Sequence, residues 1–314
     1  MDFKQLRALV TVAEVGSVTR AAELLHLVQP AVTRQIKALE AELGVPLFDR
    51  TRQGMRPTEA GVTMADRARR ALTELDRARA EVAPARGAVT GIVTLGLLES
   101  AAGLIAEPLT SAVLRAHPGI ELRLQTGYSG HLRRWLDEGD LDLSLLYDIT
   151  GSPSLTVTPV VRERLWVLAP PAAGLDPQRP VSFARIARDP LVLPSPGHGL
   201  RSLIDTAARQ AGAELIPSVQ TNSMPLQKRL VLAGHGWTIL PGVGIAEDIA
   251  AGRLTGAPVR EPEVWRSIAV ARPRSGRVPP AVDVVARELL CQVHAAVADG
   301  RWPSAEPLIG DGGR

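Results

Sequence analysis

The chain has 314 residues, 45% of them hydrophobic and 22% charged, with a formal net charge of +3. That composition excludes a disordered chain and allows about two domains, each with its own core. A single cysteine, Cys291, excludes an intrachain disulfide and a cysteine metal cluster, and no apolar run approaches the ~20 residues of a membrane helix.

The positive excess is local. Residues 1–87 hold 14 Lys and Arg against 11 Asp and Glu, whereas residues 88–314 hold 22 of each. A nucleic-acid footprint is therefore expected in the first part. At the N-terminus Asp2 is acidic, and the apolar run LVTVA is too short for a signal sequence. With its one cysteine, the chain is expected in a reducing cytoplasm.

Residues 3–14 carry Phe3, Leu6, Leu9, Val10 and Ala13 at helical spacing. Next comes SVTRAAELLHLVQPAVTRQIKALE, which reads as two short helices joined by a turn. Ser17 is a good N-cap for the first, and Pro30 suits the opening turn of the second. In the second helix Val32, Ile36 and Leu39 should face inward, leaving Gln29, Thr33, Arg34 and Lys37 outside. Such a front suits base edges and phosphates in a major groove. GVPLFDRTRQGMRPT then reads as a two-stranded wing anchored by Leu47 and Phe48, with arginines at 50, 52 and 56 for the phosphate backbone or a minor groove.

These sixty-one residues, with AAELLH, QPAVTRQI, LEAELGVPLFDR and PTEAG at matching spacings, closely resemble the winged helix-turn-helix of LysR-type transcriptional regulators. The resemblance implies that Gln29, Pro30, Thr33 and Arg34 face DNA, with Arg52 on the wing. Ser17, Thr19, Lys37 and Arg50 complete the candidate DNA-binding set. One departure is Val28, where the family usually has serine at the N-cap of the recognition helix. Valine has no oxygen to cap with, so about 1 kcal/mol of local stability is expected to be missing, and a phosphate contact with it.

Residues 58–86 read as a long helix capped by Thr58. Met64, Ala68, Ala71, Leu75, Ala78 and Val82 follow the a/d spacing of a two-helix seam, and the resemblance likewise implies a dimerising linker. From Gly91 the texture becomes βαβαβ, which argues for a mostly parallel sheet. A second set of strands and helices follows. WRSIAVARP then returns as a strand and residues 282–298 close the chain as a helix. This order resembles the two-lobed, periplasmic-binding-protein-like effector domain of the same family. The expected layout is a DNA-binding domain at 1–57 and a linker helix at 58–87. The effector domain spans 88–298, with lobe I at 88–160 and 266–298 and lobe II at 161–265. A flexible tail occupies 299–314.

In open α/β sheets ligands collect at strand carboxyl ends beside helix N-termini. Ser100, Ser129 and His198 fall at such places, and the family resemblance puts them on the effector pocket. Tyr147 and Asp148 end a strand near the same cleft, Arg201 sits in the following helix, and HGWTILP adds Trp237 and Thr238. Helix ends, a histidine and an arginine suit a small anion. An enzyme is disfavoured, because GxxxxGK, HExxH, GxSxG and CxxC are all missing, and no cofactor is expected. A solute-binding transport protein would carry no helix-turn-helix. The expected partners are double-stranded promoter DNA, a small-molecule effector, a second copy or three (homodimer or homotetramer) and RNA polymerase, with no membrane.

Overall fold

The computed structural model describes residues 1–51, 54–82, 89–147, 152–274 and 278–308, the side chains at 77 and 80–82 aside. The chain divides into two compact units, Met1–Ala85 and Arg86–Arg314.

The first unit runs α1 (Phe3–Val15), α2 (Val18–Leu24), α3 (Gln29–Leu43), β1 (Phe48–Thr51), β2 (Gly54–Pro57) and α4 (Glu59–Val82). Helix α1 opens on a reciprocal capping box. Asp2 Oδ1 accepts the Gln5 amide at 2.9 Å and Gln5 Oε1 accepts the Asp2 amide at 2.8 Å. Ser17 caps α2 by accepting the Arg20 amide at 3.3 Å. Thr58 caps α4 by accepting the Gly61 amide at 3.0 Å, and its hydroxyl also donates to the Pro46 carbonyl at 2.9 Å. At Gly61 a Cβ would lie 1.9 Å from the Leu47 carbonyl oxygen, so only glycine lets α4 pass the wing this closely.

Leu9, Val12, Ala21, Val32, Leu39 and Leu47 have no exposed surface and form the core of this unit, with Ile36 and Phe48 beside them. Phe3, at the start of the helically spaced row, is 50% exposed, and Leu6, Ala8, Leu9 and Val12 are the buried residues of α1. The long helix α4 also departs from expectation. Its first turns complete this same core through Ala65 and Ala68, with Met64 and Leu72 partly buried beside them. Of the residues expected on the dimer seam, Ala68 is only 1% exposed in a single chain and packs within its own domain, while Met64 is half-buried beside it. Further along, Ala71 and Ala78 are exposed and Leu75 is half-buried, while the Val82 side chain lies outside the described residues.

The second unit begins with β3 (Thr90–Leu98), α5 (Glu99–Ala116), β4 (Gly119–Gly127), α6 (Ser129–Asp137) and β5 (Leu143–Tyr147). Strand β3 pairs in parallel with both β4 and β5, as the βαβαβ order predicts. Then follow β6 (Leu155–Ala169), β7 (Val181–Ser182), α7 (Phe183–Ile186), β8 (Leu191–Leu193), α8 (Gly199–Gln210), β9 (Pro217–Gln220) and α9 (Met224–Leu232). The unit ends with β10 (Thr238–Pro241), α10 (Ala246–Ala250), β11 (Thr255–Arg260), β12 (Trp265–Pro273), α11 (Pro280–Ala298) and β13 (Ala305–Pro307).

Strand β6 joins two lobes. Its first part, from Leu155 to Arg164, pairs antiparallel with β12, which also pairs with β5. Its second part, from Leu165 to Ala169, pairs with β10 and β11. Two separate cores result. One gathers β3, α5, β5 and α11 around Leu95, Ile105, Leu145 and Leu289. The other gathers β6, α7, α8 and β10 around Val167, Phe183, Ile204 and Ile239. The expected flexible tail from 299 is also corrected as far as it is described. Trp302 is fully buried in the first core and β13 pairs with β6 at Glu163–Val161.

Candidate functional site

The outer face of the first unit is built on α3. Val28 occupies its N-cap with φ −85° and ψ 143°, makes no side-chain cap bond and is 67% exposed. Pro30 follows in the first turn without an N–H, and the Ala31 amide is accepted by the Val28 carbonyl at 2.9 Å. Gln29, Pro30, Arg34 and Lys37 are exposed and Thr33 is half-buried. Ser17 is engaged as the cap of α2, and Thr19 on the next turn is exposed. On the wing Arg50 and Arg56 are exposed, while Arg52 lies outside the described residues. Among the described residues Arg34, Lys37, Arg50 and Arg56 hold no carboxylate, so their charge is open to phosphates. Glu40 holds the wing to α3: its Oε1 accepts the Leu47 amide at 2.8 Å and the Phe48 amide at 3.3 Å. That residue went unnoticed in sequence because a glutamate on a helix reads as a solvated face.

In the second unit a small, partly open cleft of about 30 Å³ lies between the lobes. Lobe I contributes Leu98, Glu99, Ser100, Tyr128 and Tyr147; His198, Thr221, Asn222, Met224 and Gln227 face them from lobe II. The lobes touch directly. The Tyr128 hydroxyl accepts the Met224 amide at 3.0 Å, and the Tyr128 and His198 rings meet edge to face at 4.2 Å. Beneath the cleft lies a buried ion pair. Glu163 Oε2 accepts Arg266 Nε at 2.9 Å and Nη2 at 2.6 Å, while its Oε1 accepts the Val243 amide and the Ser304 hydroxyl, each at 2.9 Å. Arg266 Nη2 also donates to Ser100 Oγ at 2.8 Å, and its guanidinium lies 5.1 Å from the Tyr147 ring centre.

His198 is the N-cap of α8, its Nδ1 accepting the Leu200 amide at 3.2 Å. In the neutral ring this places the proton on Nε2, which is buried with no partner. Burial, and then the charge of His131, hold the imidazole below its ordinary value, so the neutral form prevails. Burial pushes the Tyr128 hydroxyl up, the Met224 amide opposing and the Glu99 charge adding to it.

Of the residues expected around a ligand, Ser100, Tyr147 and His198 line this cleft. Four do not. Ser129 is buried, its hydroxyl donating to the Tyr147 carbonyl at 3.1 Å and accepting the Tyr147 amide at 3.2 Å; it locks α6 to β5. Arg201 holds Asp205 at 2.7 Å and the Gln220 side chain at 3.0 Å. Trp237 lies under the Arg185 guanidinium, 4.8 Å from its ring centre, while its backbone pairs with Pro190 and Val192. Thr238 is fully buried, and it is Leu240 and Pro241 of the same strand that reach the cleft wall. Asp148 lies outside the described residues. The cations expected to receive an anion are thus engaged or neutral. Sequence reading missed Glu163 and Arg266. Their signal was strand parity: Glu163 shares the inward row with Val161 and Leu165, and Arg266 shares one with Ile268.

A winged helix-turn-helix carrying open cations, followed by two lobes around a cleft, defines a DNA-binding regulator with a ligand-binding domain. Residues 3–62 match the family profile described as bacterial regulatory helix-turn-helix protein, lysR family, and residues 86–293 match the LysR substrate binding domain. The chain belongs to the LysR family of transcriptional regulators. Among its relatives, the HTH-type transcriptional regulator CbbR of Xanthobacter flavus is 33% identical, over 89% of this chain and 84% of the relative. BbuR of Bordetella bronchiseptica, also an HTH-type transcriptional regulator, is 29% identical, over 99% of this chain and 95% of the relative. The fold is also that of full-length CbnR in complex with its target DNA, with a TM-score of 0.71 at 23% identity, covering 93% of this chain and all of that one. Among the described residues no helix is long and apolar enough to cross a membrane.

Proposed function

We propose that this regulator works in the cytoplasm as a homodimer or homotetramer, and that a small molecule held between the lobes retunes its grip on a promoter. The carrying observation is the cleft between the lobes spanned by Tyr128 and Met224, where a ligand touching both lobes has differential contacts with open and closed forms. DNA binding is assigned to Gln29, Pro30, Thr33, Arg34 and Lys37 of α3, with Thr19 and Ser17 at α2 and Arg50 and Arg52 on the wing. The existence of a relative's fold in complex with target DNA supports this assignment.

The domain limits follow as 1–57 for DNA binding, with the first turns of α4 packed on it, and 58–87 for the linker. Lobe I takes 88–160 and 266–308, and lobe II takes 161–265. Association is assigned to the part of α4 carrying Ala71, Leu75 and Ala78. RNA polymerase is the further partner, and the chain performs no covalent chemistry in this reading.

The test is a gel shift on the DNA upstream of its own gene, with wild type and with Gln29→Ala and Arg34→Ala variants checked for folding by circular dichroism. Each variant should lose about 1–3 kcal/mol of binding. Wild-type affinity in both would remove the assignment.

A further inference from the structure

The charges around the cleft are unlike those of an anion site. Its one arginine, Arg266, is 3% exposed and held by Glu163, which has no exposed surface. Two acceptor and donor sets tie this pair down: the Val243 amide and Ser304 hydroxyl on Glu163, and Ser100 on Arg266. A ligand carboxylate would have to displace Glu163 from a buried site, leaving its charge uncompensated. His198 is neutral, for the geometric reason that its Nδ1 accepts the Leu200 amide while its buried ring faces Tyr128.

Three of the helix ends at the cleft already meet an acceptor or a carboxylate, while α6, which opens at Ser129, has no side-chain cap. His198 caps α8, Ser223 and Tyr128 accept the Leu226 and Met224 amides of α9, and α5 carries Glu99 in its own first turn. Glu99 is the remaining charge on the cleft wall, and among the described residues no ion pair or hydrogen bond engages its carboxylate. The groove that adjoins the cleft, about 460 Å³, continues the same sign. Glu99, Glu107 and Glu247 line it, and its two cations, Lys228 and Arg301, already hold Asp248 at 2.7 Å and Asp299 at 3.5 Å.

We propose that the cleft selects a small amine: a ligand of no net negative charge, whose ammonium sits against Glu99 beside the Tyr128 ring. The inference rests on the reading of the cleft as the effector site. Glu99 supplies the counter-charge, the aromatic face of Tyr128 adds a cation–π attraction, and the Nε2–H of His198 donates to an acceptor elsewhere on the ligand. Anions are excluded by Glu99 and by the lack of an unpaired cation to meet them, which is specificity through repulsion.

The test uses the full chain and three probes that share an isopropyl group, isobutylamine, isobutyramide and isobutyrate, in a thermal-shift titration at low salt. Stabilisation by mass action should rank amine, then amide, then carboxylate. Glu99→Gln should remove at least about half of the amine's shift and leave that of the amide unchanged. Asn222→Trp, a bulky change at the loop lining the cleft mouth, should abolish the shift of all three. A carboxylate shift equal to or above that of the amine, lost in Asn222→Trp, overturns the amine inference and leaves the cleft reading standing. Shifts that survive Asn222→Trp overturn the cleft reading itself. No shift with the amine at concentrations that stabilise nothing else overturns the inference as well.

Discussion

The Tyr128 hydroxyl and the Met224 amide meet at 3.0 Å across the two lobes, joining the start of α6 to the start of α9. The bond satisfies one of the orphan donors of α9, the following residue being Pro225, which has none. Tyr128→Phe removes the acceptor and leaves the ring against His198. The lobes should then part more readily, at a cost of about 0.5–1.5 kcal/mol for a neutral hydrogen bond. Amide exchange at Met224 should accelerate to match. An unchanged exchange rate there would mean that the contact does not hold the lobes together.

Glu163 and Arg266 set a different prediction. Removing one member of a buried, hydrogen-bonded pair strands the other, a loss of about 3–5 kcal/mol. Glu163→Ala should therefore lower stability in urea unfolding of the full chain by that amount. Glu163→Gln should cost less, because an amide oxygen still accepts from Val243 or Ser304. Equal losses in the two variants would show that charge alone, with no part for the hydrogen bonds, holds the site.

What was legible in sequence followed from local periodicity. Val32, Ile36 and Leu39 announced the inward row of α3 because helical spacing is a property of neighbours in the chain. The same holds for β3, β4 and β5, whose apolar runs alternate with helices. Strand β11 was illegible: TGAPVR contains Gly256 and Pro258, poor strand formers, and is held extended by pairing with β6. Trp302 and β13 looked like a tail because β6, with which β13 pairs, lies far away in sequence, and the core that Trp302 fills is assembled only by the fold. Ser129 shows the limit for sites. A serine at a strand end and helix start is the same in sequence whether its hydroxyl faces a ligand or, as here, the Tyr147 backbone.

His198 makes stability depend on pH on the acid side. Its imidazole sits lower in the folded chain than in the unfolded chain, chiefly because burial disfavours the charged ring and then because His131 repels it. Above about 6.5, its ordinary value, both states are neutral and nothing is lost. As pH falls below that, the unfolded chain takes up a proton that the folded chain resists, so folding weakens until the folded value is passed. His198→Asn keeps a side-chain oxygen for the α8 cap and cannot titrate. Urea unfolding at pH 7.5 and 5.0 should show a smaller acid loss in the variant than in wild type. An identical loss would place the titration elsewhere.

The last prediction concerns Val28. Serine at an N-cap is ordinarily better than an apolar residue by about 0.5–2 kcal/mol, because its oxygen accepts an amide two or three positions on. At α3 those positions are Pro30, which has no amide, and Ala31, whose amide already bonds the Val28 carbonyl at 2.9 Å. Val28 is also 67% exposed, so its isopropyl group contributes little packing. Val28→Ser should therefore change stability by less than about 0.5 kcal/mol, below the usual cap gain. Its effect should instead fall on DNA. The hydroxyl would stand exposed at the positive end of the recognition helix, beside Gln29, where a phosphate is favoured. One hydrogen bond to a charged phosphate, about 1.5–3 kcal/mol, corresponds to an affinity gain of roughly 10- to 150-fold. Fluorescence anisotropy on the upstream DNA and urea unfolding of the same variant separate the two effects. A gain in stability of 1 kcal/mol or more, with unchanged affinity, would show that the serine displaces the Val28 carbonyl from Ala31 and that this end of α3 does not meet a phosphate.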